Sequence, residues 1–148
     1  MDNINQEVIE SVIQHLLMYS KDNKYVYHLK RKVIGADYKS FKAINSCHAK
    51  DKESGYYWEE KIEGSHGPSF EYVGAQGWDT NVDGIWGSYE YAKDKNYVYR
   101  DGKRIEKKIH SPSFKLTPGK RTPDSTHDCI AEDKYNIYEH GGLTVIPK

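Results

Sequence analysis

Apolar and polar residues follow a pattern along this chain that returns four times. Tyr19-Ser20-Lys21-Asp22-Asn23-Lys24-Tyr25-Val26-Tyr27 is matched by Tyr91-Ala92-Lys93-Asp94-Lys95-Asn96-Tyr97-Val98-Tyr99. A further copy runs from His48-Ala49-Lys50-Asp51 to Gly55-Tyr56-Tyr57, read with one extra residue before its aromatics, and another is Ile130-Ala131-Glu132-Asp133-Lys134-Tyr135-Asn136-Ile137-Tyr138. The Lys-Asp segments predict turns, because Asp and Asn side chains bond their own backbone and tolerate left-handed conformations. The aromatic and β-branched triplets after them predict strands. Asp101-Gly102 predicts a two-residue hairpin turn into the alternating strand 103–106.

The first three copies then pass through Ile34, Ile62 or Ile105 to Ser40-Phe41, Ser69-Phe70 and Ser113-Phe114. Every phenylalanine in the chain sits in such a pair, a coincidence with a probability of about a few in ten thousand, so the repeat is genuine. Each pair predicts a tight turn that drops a ring into the core before the next strand, 41–44 or 70–73. The fourth copy reaches Lys148 without a Ser-Phe pair and is expected to be a cap.

Ahead of the repeat, Ile4, Val8, Ile9, Val12, Ile13, Leu16 and Leu17 recur at helical spacing, and Asn3 with Gln6 resembles a capping arrangement. This predicts one amphipathic helix over residues 3–18, packed on the sheet. The expected architecture is mostly β and a single domain over residues 1–148, a tandem β-hairpin repeat meander. Its copies span 19–46, 47–77, 88–121 and 127–148, with a non-repeat loop over 78–90.

Composition narrows the function classes. A chain of 148 residues fits one domain. Lys+Arg 22 against Asp+Glu 22 leaves no net charge to attract nucleic acid or anionic lipid, so neither is an expected partner. The apolar-rich stretch from Val8 to Met18 is interrupted by Glu10, Gln14 and His15 and is too short to span a bilayer. The first seven residues lack the pattern of a secretory signal, which makes the cytoplasm the expected compartment. Two cysteines make no disulfide framework, so reduced thiols are expected.

Candidate chemistry is sparse. The phosphate-loop, His-Glu-x-x-His and Gly-x-Ser-x-Gly motifs are absent, and an enzyme is not expected. Cys47-His48 and His127-Asp128-Cys129 are the Cys/His clusters, and a cysteine beside a histidine is most often a small buried hydrophobe. Asp79, Asn81, Asp83, Ile85 and Glu90 satisfy the spacing of a calcium loop, with Gly84 for its sharp turn. The same Asp83-Gly84 suits an ordinary hairpin turn, and the flanking Gly74, Gly77 and Tyr91-Ala92 deny the helices of an EF-hand. Calcium is thus the one candidate cofactor, and none is required.

With 13 tyrosines against 3 phenylalanines, rings must reach the surface as well as the core. Tyr56, Trp58, Trp78 and Trp86 lie where the chain departs most from the repeat, which makes them the candidate anchors for a protein partner.

The Ala-Lys-Asp-Lys-Asn, Val-Tyr, Gly-Lys and Ser-Phe steps, best seen from Ala92 to Phe114, resemble the bacterial DKNYY family. The resemblance covers most of the chain from Tyr19 to Tyr138, departing at Gly55-Tyr56-Tyr57-Trp58 and at Trp78 to Glu90. It implies architecture and bacterial origin, and carries over no functional residue. The expected function is non-catalytic protein binding, most concretely by an immunity protein that plugs the active site of a cognate toxin. A ligand- or carbohydrate-binding module, with or without calcium, and an enzyme of unrecognised type are the alternatives.

Overall fold

The computed structural model describes residues 18–79, 86–121, 128–139 and 144–148. Of the helix expected over residues 3–18, all but Met18 lies outside them. Among the described residues the chain is mostly β, with fifteen strands in four antiparallel sheets. It divides into two compact units, residues 1–70 and 71–148.

The first unit holds a three-stranded sheet of β1 (Tyr19–Lys21), β2 (Val26–His28) and β3 (Arg31–Lys32). Its second sheet is β4 (Lys42–Ala43), β5 (His48–Lys50), β6 (Gly55–Tyr57) and β7 (Glu60–Lys61), in that order. In the second unit, β8 (Glu71–Asp79), β9 (Trp86–Lys93), β10 (Val98–Arg100) and β11 (Lys103–Arg104) form one sheet. The other is β12 (Lys115–Arg121), β13 (Asp128–Glu132), β14 (Asn136–Glu139) and β15 (Thr144–Pro147). Each four-stranded sheet therefore joins the strand that follows one Ser-Phe step to the three strands of the next copy. The described residues of the segment expected to be a loop over 78–90 are strand: Trp78 pairs with Gly87, Asp79 with Trp86, and the ladder continues to Glu90 opposite Ala75.

One aspartate clamp organises every copy. Oδ1 of Asp22, Asp51, Asp94 and Asp133 accepts the backbone N–H groups two and three residues on, which fixes the turn. Oδ2 accepts the hydroxyl of the tyrosine five residues on: Tyr27 at 2.8 Å, Tyr56 at 2.6 Å, Tyr99 at 2.7 Å and Tyr138 at 2.6 Å. Copies are stitched together by the same carboxylates, since Asp51 Oδ2 also takes the Asp37 N–H and Asp133 Oδ2 the His110 N–H. The Ser-Phe serines add a second stitch, Ser40 Oγ accepting from Lys52 N–H and Ser113 Oγ from Lys134 N–H.

The clamp corrects two details of the repeat. Tyr56 stands five residues after Asp51, as Tyr27 does after Asp22, so the second copy has no extra residue. Gly55 instead occupies the place of Val26, because a Cβ there would run into the Phe70 ring. Secondly, Val33 and not Ile34 is the partner of Ile62 and Ile105. The N–H groups of Val33, Ile62 and Ile105 donate to Val26, Gly55 and Val98 carbonyls in equivalent bonds, while Ile34 is 70% exposed.

Phe41, Phe70 and Phe114 are all buried, as expected. The first unit packs Tyr19, Val26, Val33 and Phe41 against Ala49 and Tyr56 of the following copy. The second packs Tyr91, Val98 and Phe114 against Ala131 and Tyr138 in the same way. A core thus forms between consecutive copies, which is why one copy alone cannot fold. The step into Phe70 and Phe114 is a short 3-10 turn, at Gly67–Ser69 and Ser111–Ser113. Lys50 and Lys93 cap these turns, their ammonium groups donating to the carbonyls of Pro68 and Phe70, and of Pro112 and Phe114.

Candidate functional site

Three copies close their second hairpin with a two-residue turn whose first residue has positive φ: Leu29 (55°), Trp58 (52°) and Asp101 (48°). The N–H groups of these residues donate to the carbonyls of Met18, Cys47 and Glu90, so the three turns are equivalent. Asp101-Gly102 suits this backbone. Leucine and tryptophan do not, because a Cβ in the left-handed region costs about 1–2 kcal/mol. Met18, with φ of 68°, is the fourth non-glycine residue in this region among the described residues.

Met18, Leu29 and Trp58 share more than backbone strain. They are 48%, 62% and 51% exposed, and all three line one groove of about 1000 Å3 in the first unit. Cys47 forms part of its wall, and the Arg31–Glu59 ion pair, at 2.9 Å, lies at its rim. The buried Tyr19 hydroxyl donates to the carbonyls of Cys47 and Trp58, which fixes the second copy's turn against the first. Burial, with the nearby Cys47 and Glu59, drives the Tyr19 phenol well above its ordinary range, so it stays a donor. Trp58 stacks on Tyr57 at 5.1 Å and an interplanar angle of 14°. The matching face of the third copy is lined by Tyr89, Arg100, Asp101 and Arg104 and is charged.

The match to known proteins extends this picture of a repeat with one modified face. The model of the DKNYY family matches residues 1–103. The chain belongs to the DKNYY family. No curated protein and no solved structure matches it. In this DKNYY chain, no helix among the described residues is long and apolar enough to cross a membrane.

The structure separates the four expected anchors. Tyr56 is a correction: the strand register turns its ring inward, where it is fully buried and its hydroxyl is held by Asp51. Trp58 is exposed in the groove. Trp78 and Trp86 have their backbones paired in β8 and β9, and their rings fall outside what the structure describes. Met18 and Leu29 were missed by sequence reasoning. The signal was present, since aligning Leu29-Lys30 and Trp58-Glu59 with Asp101-Gly102 puts large apolar side chains where turn residues belong.

Of the calcium-loop residues in this DKNYY chain, Asn81, Asp83 and Ile85 lie outside the described residues. Glu90 sits four positions from Trp86 on β9, about 13 Å along the strand from the end of the ladder. Its carboxylate accepts from the Tyr72 hydroxyl, and its N–H donates to Asp101. Cys47 and His48 diverge: Cys47 lines the groove, whereas His48 is buried against Tyr57 and Phe70. His127 lies outside the described residues.

Proposed function

We propose that this chain is a non-catalytic protein-binding protein whose partner lays an apolar segment into the Met18–Leu29–Trp58 groove. One observation carries this reading. Three large apolar side chains in costly left-handed backbone are exposed together at one groove, while the equivalent turn elsewhere in the chain uses Asp-Gly. Strain of this kind persists where it serves a site. Apolar anchors inside a polar rim are the usual make-up of an interaction hot spot. The concrete version of the proposal is an immunity protein that inhibits a cognate bacterial toxin, and a small charge-balanced chain with an exposed apolar groove suits that role.

The test is neutralisation of a toxin encoded by the neighbouring gene. Wild-type chain should protect cells, and Leu29→Asp and Trp58→Ala should lose protection with Leu29→Asp melting no lower than wild type. Full protection by both variants would overturn the groove as the docking site. The second reading, a carbohydrate-binding module, is favoured by the flat Trp58 ring stacked on Tyr57, a surface on which sugar rings pack. Oligosaccharide titrations followed by tryptophan fluorescence separate the two.

A further inference from the structure

We propose that the basic pocket of the third copy holds the side-chain carboxylate of an acidic peptide segment, bound between the Tyr91 hydroxyl and the Arg100 guanidinium. The site belongs to the second unit and is independent of the Met18–Leu29–Trp58 groove.

Equivalent rows of side chains cross the first and third copies. Tyr19, His28 and Arg31 stand opposite one another on β1, β2 and β3, and Tyr91, Arg100 and Lys103 do so on β9, β10 and β11. Direct partners on adjacent antiparallel strands share a face. In the first row the chain supplies its own acceptors. The Tyr19 hydroxyl donates to the Cys47 and Trp58 carbonyls, the His28 ring bonds the Ser46 carbonyl at 2.9 Å, and Arg31 pairs with Glu59.

Tyr91 in the second row is 0% exposed, yet its hydroxyl has no hydrogen-bond partner among the described residues. Arg100 opposite it is a donor only and cannot take the hydroxyl proton. The Arg100 guanidinium lies over the Tyr89 ring at 4.6 Å, and no carbonyl or carboxylate among the described residues accepts from it. Burial raises the Tyr91 phenol while the Arg100 charge lowers it, and Tyr89 and Asp101 also reach it. Those three neighbours all line the pocket. A buried hydroxyl left unpaired is costly, and a bound acceptor would relieve it.

Both unmet groups are donors, so the missing element is an acceptor, and the charge around them makes it an anion. Arg100, Lys103, Arg104 and Lys107 outnumber Asp101 and Glu106 by two around this pocket of about 470 Å3. One hydroxyl and one planar guanidinium match the two oxygens of a carboxylate. Asp101 and Glu106 disfavour a doubly charged phosphate in the same place.

The test titrates the full-length chain with blocked glycine-serine peptides that carry one central glutamate, or glutamine in its place, and follows the Tyr89, Arg100 and Arg104 amide signals by NMR. The glutamate peptide should bind at least about tenfold more tightly, and Arg100→Gln should remove that preference. Tyr91→Phe should weaken glutamate binding by about fivefold and melt no lower than wild type, because it deletes an unpaired buried hydroxyl. Tyr19→Phe, which breaks two bonds to carbonyls, should melt lower. Equal affinity for the two peptides, no binding of either, unchanged glutamate binding by Tyr91→Phe, or a lower melting point for that variant overturns the inference. Inorganic phosphate that binds more tightly than the glutamate peptide, with the same response to Arg100→Gln, overturns the acidic peptide and makes the occupant a phosphate group.

Discussion

The Tyr56 hydroxyl donates to Asp51 Oδ2 at 2.6 Å in a fully buried contact, and the same carboxylate oxygen holds the backbone N–H of Asp37 in the preceding copy. One pair of side chains therefore fixes a turn, seats a core ring and joins two copies. Tyr56→Phe removes the donor and keeps the ring, and should destabilise the first unit by about 1–3 kcal/mol in denaturant unfolding. Tyr27→Phe breaks the same bond at the solvent-exposed Asp22 and should leave the midpoint unchanged, so equal losses for the two would show that burial is not what gives the clamp its weight.

The clamps make stability depend on pH at both extremes. Burial pushes the Asp51 carboxyl up, but the N–H groups of Asp37, Ser54 and Glu53 and the Tyr56 hydroxyl outweigh it, so its pKa lies below the ordinary value, and Asp133 behaves alike. A depressed folded pKa gives stability that is fully present above the unfolded value of about 4 and is lost as pH falls through the folded value. The unfolding free energy should be level from pH 5 to 7 and fall below about pH 4, with a shallower fall in Asp51→Asn. At the alkaline end, burial and then the Asp bond raise the phenols of Tyr56, Tyr99 and Tyr138. A raised folded pKa gives stability that is present below about pH 10 and lost above it. Absorbance at 295 nm should show these three phenols ionising only with cooperative unfolding.

Phe41, Phe70 and Phe114 occupy equivalent core positions, and truncating any of them to alanine should cost about 3–5 kcal/mol. Gly55→Ala tests the same packing from the other side. Its new methyl collides with the Phe70 ring and should cost about 1–3 kcal/mol by overpacking. Recovery of that loss in the double variant Gly55→Ala, Phe70→Leu would confirm the contact.

Leu29 should show a trade of stability against binding. Asparagine tolerates left-handed backbone far better than leucine, so Leu29→Asn should stabilise the chain by about 0.5–1 kcal/mol. The same change removes an apolar wall of the groove and should abolish neutralisation. A variant that loses stability would show that the Leu29 side chain packs for the fold rather than for a partner.

Calcium should leave the thermal midpoint where it is. A site with a dissociation constant of 10 µM would add about 2.7 kcal/mol at 1 mM calcium, a shift no melting curve could miss. The Glu90 carboxylate is engaged by Tyr72 on the sheet, and the register carries it away from Asp79. A calcium-dependent rise that Glu90→Gln abolishes would reverse this expectation.

The sequence by itself determined the repeat, its turns and its buried phenylalanines. Asp22, Asp51, Asp94 and Asp133 act on backbone groups two and three residues away, and such short-range chemistry is written in spacing. The tertiary structure decided which side of the strand faces inward. Tyr56 and Trp58 are two residues apart and both aromatic, yet one is core and the other surface, because a turn with positive φ at Trp58 throws its ring out of the strand's alternation. Val33 against Ile34 is the same lesson at one residue's offset: both are apolar and β-branched, and only the bond to Val26 fixes the phase. Gly55 reads as part of an insertion in the sequence, and only the Phe70 ring, which fills its side-chain space, explains the glycine. The groove itself joins Met18, just ahead of the first copy, and Leu29 within it to Trp58 of the second, a proximity created by the Tyr19 hydroxyl and the core between consecutive copies, neither of which any local pattern encodes.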